Sequence, residues 1–498
     1  MKNINKIIFF ILILQITLPA LRIDSTKAEL QKSNDKLLLL RNEIDDILSD
    51  PNFSNAVMGV YVKSIKNGEV LYKRNQDKLF VPASAVKLFT TAAALLYLGP
   101  NYKYETTLYA SGEISENKIT GNLIVKGSGD PTISNRFENG KSDVILNKWA
   151  VDLKNLGIET IDGNLIGDAS EFEESKLGKG WSWEHESYWY SAKPCALSFN
   201  NNSIAITIFR NNKGNIIYKT DPETNYVTII NRIENSKFEP TNIELSRKSG
   251  TNIINLIGNI SEDDDSVKVY ASVDSPSLYF ISVFNDILVK NNVQVEGYIA
   301  DSETIENELF YQDYIPLFTH TSPVLKEIIW ETNKNSNNFY AEQILRTIGL
   351  EIYNYGSGEN GIKALYQLFN KMGINENGVK IVDGSGLSMY NLVTPKQIVN
   401  LLIYMFKSDQ FDNFYNSLPI AGYDGTMADR MKKTNVQKKV RAKPGFMENV
   451  KSLSGYVQTQ DNELLAFSII VNNFIVPSNL VNYIQDNICL RLANFSRK

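Results

Sequence analysis

Cysteine and histidine are almost absent: the 498 residues contain two of each. Cys195 and Cys489 stand far apart, so a disulfide framework is excluded and at most one bridge stays open. Both read as small apolar packing residues, in "KPCALSF" and "NICLRLANF". A Ser-His-Asp triad would need His185 in "WSWEHESYWY" or His320 in "PLFTHTSP". Neither has a nucleophile signature beside it, so both are read as structural. Charge of one sign is also missing. The net charge is −5 with both signs interspersed, and no basic patch alternates with aromatics, which argues against nucleic acid as a partner. No apolar run reaches the ~20 residues that comfortably span a bilayer.

The longest such run, "IIFFILILQITLPAL" from Ile7 to Leu21, follows Lys2 and Lys6. That is the layout of a secretory signal, expected over residues 1–28. Cleavage after Ala20, cleavage after Ala28 and retention as an anchor all stay open. The mature chain is expected outside the cytoplasmic membrane, periplasmic or extracytoplasmic, with no integral span. The many Asn, Ile and Lys residues carry no functional weight.

A chain this long calls for two or three domains. "ELQKSNDKLLLLRNEIDDILSD" has helical apolar spacing, and "AVMGVYVKSI" and "EVLYKRN" flank a Lys66-Asn67-Gly68 hairpin signal. From about residue 104 to 307 the texture becomes short alternating runs, such as "GNLIVKG" and "NNSIAITIF", cut by Gly, Asn and Asp. Helical runs dominate again from about Ser322, and "VRAKPGF", "SLSGYVQTQ" and "ELLAFSIIVNNF" alternate as strands before a last helix. The reading is an α/β (α+β) domain formed by residues 29–103 and 308–498. A β-rich insertion over 104–307, expected as two nested subdomains, interrupts it.

The chemistry centres on "VPASAVKLFTTAAALLYLG", Val81 to Gly99. Ser84 and Lys87 are three apart, so on a helix they share a face. Pro82 suits a helix start and places Ser84 in the first turn, where unpaired N–H groups could hold an oxyanion. A solvated lysine with a pKa near ~10.4 is no base at neutral pH, but desolvation and a neighbouring cation both lower that value. A second ammonium about 7 Å away at an effective ε of ~20 supplies roughly 2.4 kcal/mol, nearly two pKa units. The spacing alone is common: Ser33–Lys36 and Ser115–Lys118 match it in polar surroundings. Ser84 differs because an apolar helix follows it directly.

Two later segments extend the pattern. Ser336-Asn337-Asn338 opens "SNNFYAEQILRTIG", where Ser336 or Asn338 could also serve as a plain helix cap. Lys443-Pro444-Gly445 lies on an alternating strand. Ser-x-x-Lys, then Ser-x-Asn, then Lys-x-Gly is a catalytic set in that order. Lys248-Ser249-Gly250-Thr251 imitates the third element, but it precedes Ser336 and sits in the β-rich insertion.

With these motifs the chain resembles the penicillin-recognising serine D-Ala-D-Ala carboxypeptidases and endopeptidases, in particular the class C low-molecular-mass penicillin-binding proteins. The resemblance covers nearly the whole mature chain. It includes "GNLIVKGSGDPTIS", "IDGNLIGDASEF", "VDGSGLSMYNLVTPKQIV", "LPIAGYDGTMADRM" and "VRAKPGF…SLSGYV". It implies a transpeptidase-like domain, an antiparallel sheet with helices on both faces. It also implies roles: Ser84 as nucleophile, Lys87 as base, and Ser336 as proton relay. Asn338 would hold the peptide and Lys87, and Lys443 would supply a positive field that depresses Lys87. Gly445, Phe446 and Asn337 are expected to bind substrate, with the N–H groups of Ser84 and Phe446 as oxyanion donors. No metal or cofactor is needed. Stem peptides of peptidoglycan are the implied substrates and β-lactams the implied inhibitors, while oligomeric state is unread. Asp383-Gly384-Ser385-Gly386 is read as a tight turn near the cleft.

The chain departs from the family at Pro444 and Phe446, where members usually carry Thr or Ser that grip a terminal carboxylate. Weaker discrimination for a free C-terminal D-Ala, and a tilt towards endopeptidase or mixed activity, is the expectation. A serine β-lactamase and a non-catalytic wall-binding scaffold are the alternative classes.

Overall fold

The computed structural model describes residues 31–174, 176–305 and 309–497. The expected leader, residues 1–28, lies outside them. Among the described residues no helix is long and apolar enough to cross a membrane.

The termini meet in one sheet. β1 (Val57–Ser64) and β2 (Val70–Arg74) form the hairpin, closed where Gly68 adopts φ +76°. β3 (Val440–Met447), β4 (Val450–Gln458) and β5 (Leu464–Asn472) join them in the order β2-β1-β5-β4-β3, every neighbour antiparallel. β5 is apolar on both faces because it is covered on both. Phe467, Ile469 and Val471 pack beneath α1 (residues 31–48) and α10 (Ser478–Asn494). Ala466 and Ile470 pack against α2 (Lys87–Tyr97) and α8 (Pro395–Lys407). This is the expected α+β domain, an antiparallel sheet between two helical layers.

The β-rich insertion has its own core. A five-stranded sheet orders Ile299–Asp301, Leu165–Asp168, Leu123–Lys126, Glu105–Ala110 and Ile315–Thr321. Helices α3 (Val144–Asn155) and α4 (Pro276–Lys290) supply Trp149, Phe280 and Phe284 to that core. Nested within it are two three-stranded sheets between Ser203 and Ser272. Strand Ile315–Thr321 pairs with Glu105–Ala110, so the insertion's sheet continues past residue 307, where the texture of the sequence set its end. Cys195 and Cys489 are buried in two different cores.

After the insertion come α5 (Leu325–Lys334), α6 (Asn338–Tyr353), α7 (Gly358–Met372) and α9 (Phe411–Ser417). α6 bonds the two bodies to each other. The buried Gln343 amide donates to the carbonyls of Gly129 and Cys195, at 3.1 and 2.8 Å, and accepts from the Cys195 N–H at 3.0 Å. One side chain thus bonds backbone groups from two insertion loops.

Candidate active site

Ser84 sits in a 3-10 turn, Ala83–Val86, and the α-helix proper begins only at Lys87. The expected placement inside the first α-turn is corrected by one tighter turn. Ala83 is held at φ +47°, left-handed for an L-residue, which costs ~1 kcal/mol. Gly386 explains how it is held. A Cβ there would lie 2.0 Å from the Ala83 carbonyl oxygen and 3.0 Å from Ser84 N, so only glycine lets the loop press against this peptide.

Lys87 is fully buried. Its Nζ lies 3.0 Å from Ser84 Oγ, 2.7 Å from Asn338 Oδ1 and 2.6 Å from the Ser385 carbonyl oxygen. A neutral amine has two N–H donors, and two fixed acceptors here use both. Its lone pair is left for the Ser84 hydroxyl. Burial pulls the Lys87 pKa down to about 7, with the Asp383 and Glu342 carboxylates acting in the opposite direction.

The Asp383–Gly386 turn forms the floor. Asp383 accepts from the Gly386 and Ser388 N–H groups, from Asn391 Nδ2 and from Trp181 Nε1 at 2.6–2.9 Å. Glu342 Oε1 accepts from the Gly384 and Ser385 N–H groups, at 2.9 and 2.8 Å, and Thr90 donates to the Gly384 carbonyl. These bonds aim the Ser385 carbonyl at Lys87. The sequence reading missed Glu342 as a support. Its one trace in the sequence is Arg346 four residues later, which pairs with it at 3.0 Å, and i, i+4 pairs of this kind are common on helices.

Ser336 and Lys443 form the second pair. Ser336 turns the chain between α5 and α6 at φ +57°. Lys443, fully buried on β3, donates to Ser336 Oγ at 2.7 Å and to the Pro444 carbonyl at 2.9 Å. Burial first, and the Lys87 ammonium second, push the Lys443 pKa well below its ordinary value. Burial is the largest cause at both lysines, and the repulsion between their ammonium groups belongs to the pair.

Neither Ser336 nor Asn338 caps α6. Asn337 does, accepting from the Tyr340 N–H at 3.2 Å while 2% exposed, so it is brought to the helix end and not to the opening as expected. Gly445 is brought to Ser84: a Cβ on it would meet Ser452 Oγ at 2.4 Å and both Ser84 N and the Pro82 carbonyl at 2.9 Å. The Phe446 ring is exposed, with Lys451 Nζ 5.0 Å above it, so what this residue can offer the cleft is its N–H. The Ala442 N–H bonds outward to the Pro419 carbonyl at 3.0 Å, away from β4. Positions 444 and 446 share that parity. Pro444 thus forfeits no ladder bond, and the Phe446 N–H faces the free edge. Lys248–Thr251 forms a turn in the nested sheets, where Ser249 donates to Glu186.

A serine hydroxyl beside a buried amine, with a second hydroxyl–lysine pair close by, is the arrangement of a serine–lysine hydrolase site. Residues 40–494 match the D-Ala-D-Ala carboxypeptidase 3 (S13) family, and the chain belongs to that family. It is 32% identical to a D-alanyl-D-alanine carboxypeptidase of Actinomadura sp. (strain R39) over 492 residues, 96% of this chain and 89% of that protein. It is 26% identical to the D-alanyl-D-alanine carboxypeptidase DacB of Haemophilus influenzae over 431 residues, 85% of this chain and 86% of that one. The crystal structure of penicillin binding protein 4 (dacB) from Haemophilus influenzae shares the fold at a TM-score of 0.77, with 24% identity, over 90% of this chain and 98% of that one. The chain is a serine-type peptidase of the D-Ala-D-Ala carboxypeptidase class.

Proposed function

We propose that the protein cleaves D-alanyl bonds in peptidoglycan stem peptides outside the cytoplasmic membrane, with Ser84 as nucleophile and Lys87 as general base. Ser84 Oγ attacks the carbonyl of the penultimate D-Ala as its proton passes to the free lone pair of Lys87 Nζ. The N–H groups of Ser84 and Phe446 stabilise the oxyanion. The C–N bond then breaks. Ser336, whose Oγ already accepts from Lys443, relays to the leaving amine the proton that Lys87 took from Ser84, giving up its own hydroxyl proton and receiving that one in its place, so that Lys87 is neutral again. That amine belongs to a terminal D-Ala or to a cross-linked neighbour. Water repeats the sequence on the ester and frees Ser84.

The observation that carries this reading is a fully buried lysine, near pKa 7, 3.0 Å from a serine hydroxyl at a helix start. A β-lactam would acylate Ser84 in the same geometry. Peptide mapping after penicillin treatment should find the adduct on Ser84, and Ser84→Ala should abolish it. Full labelling of Ser84→Ala would refute the assignment.

A further inference from the structure

The Asn338 amide has a sense, and the insertion sets it. Oδ1 faces Lys87 Nζ, and Nδ2 donates to the Tyr190 carbonyl at 2.9 Å. A carbonyl only accepts. An amide turned over would set two oxygens against each other at Tyr190 and aim its NH2 at Lys87. Asn338 therefore presents oxygen to Lys87 for as long as Tyr190 holds its place.

Tyr190 is held from a distance. Glu186, Lys193, Arg247 and Asp274 form an ion cluster around its segment. Arg247 Nη2 is 3.0 Å from Glu186 Oε1, and Nη1 is 3.7 Å from Asp274 Oδ1. Lys193 pairs with Asp274 and lies 3.9 Å from Glu186. The Arg247 side chain is 1% exposed, so the cluster is scarcely screened. Its N–H also donates to Ser187 Oγ at 2.8 Å, the Ser187 carbonyl accepts from Ser272 N–H at 3.0 Å, and Tyr188 bridges to Ala271. Ser249, in the turn that imitates the third motif, donates to Glu186 at 3.1 Å.

We propose that Arg247, through Glu186 and the Tyr190 carbonyl, is a positioning residue for acylation: the nested sheets fix which way the Asn338 amide faces the base. The inference rests on Lys87 acting as that base. Loosening the clasp lets the amide turn. An N–H then competes for the Lys87 lone pair, which slows acylation and favours the neutral amine. The groups facing Lys87 directly, Asp383, Glu342 and Lys443, are unchanged by such a variant. Loss of one cationic charge would by itself move the base the other way, since it leaves the surroundings more negative.

The test is the acylation rate by a fluorescent penicillin per titratable site, from pH 5 to 9. Arg247→Met and the charge-balanced double variant Arg247→Met/Glu186→Gln should each be about ten- to a hundredfold slower than wild type. The acid limb of the pH profile should move to lower pH, and Arg247→Lys should restore much of the rate. Should Arg247→Met not fold, the double variant carries the test, because no buried charge is then left unpaired at Glu186. Wild-type rates and an unshifted acid limb in the folded variants would overturn the proposal. Failure of wild type to label at Ser84 would instead remove the functional reading beneath it.

Discussion

Lys87 is the residue on which the chemistry turns, and its protonation is measurable. Acylation should rise with pH as the amine loses its proton, with a midpoint at about 7, as read from the penicillin-labelling rate. A midpoint near 10 would mean a solvated lysine. Gly445 makes a steric prediction at the same scale. Adding one methyl sets a carbon 2.9 Å from Ser84 N and 2.4 Å from Ser452 Oγ, so the strand and the Ser84 turn must part. Gly445→Ala should lose about a hundredfold in acylation rate, the scale of one lost oxyanion donor, and the overpacking, about 1–3 kcal/mol, should lower the urea midpoint as well. That Ser84, Lys87, Ser336, Asn338 and Lys443 meet was legible because each is a polar residue at a fixed offset in an otherwise apolar or strand-like run. Glu342 and the Tyr190 carbonyl were not. An acid inside a helix is ordinary, and a backbone carbonyl has no signature in sequence.

At the scale of elements, the edge strand β3 carries the prediction about the leaving group. Its outer side is covered at residues 440–442 by the 419–421 segment and is open at 444–446, where a substrate strand can lie. Pro444 and Phe446 bring no hydroxyl to that opening, so a terminal carboxylate has fewer partners. Pro444→Thr should raise the ratio of activity on a pentapeptide with a free C-terminus to activity on a cross-linked dimer, measured by chromatography of the products. An unchanged ratio would separate carboxylate preference from this strand. The alternating strands and the apolar helices were readable from period alone. The 3-10 turn at Ser84 and the cap at Asn337 were not, because both are set by packing against Gly386 and by the turn at Ser336, contacts distant in sequence or left-handed in backbone.

At the scale of the whole molecule, two buried lysines make stability depend on pH. In the unfolded chain both titrate near ~10.4, whereas the folded chain holds Lys87 at about 7 and Lys443 well below its ordinary value. Between these limits the unfolded chain binds more protons, so stability rises as pH climbs from about 7 towards 10. Below 7 Lys87 is protonated in both states and its contribution is flat. The slope is up to ~1.4 kcal/mol per pH unit for each such lysine. Urea midpoints should therefore rise between pH 7 and 9.5, and less steeply in Lys87→Met; identical slopes would contradict the assignment. The alternating runs of the middle third were readable from period, but the pairing of strand Ile315–Thr321 was not, since its partner lies some two hundred residues earlier.

The Gln343 amide also limits what evolution or an engineer can remove. Excising the β-rich body would strand that amide on α6 with no backbone to grip and would take away the carbonyl that orients Asn338. On the proposed mechanism, a minimal enzyme made from the sheet and its helices alone would keep Ser84 but lose the group that aims Lys87. The two bodies are one catalyst, and neither is an accessory to the other.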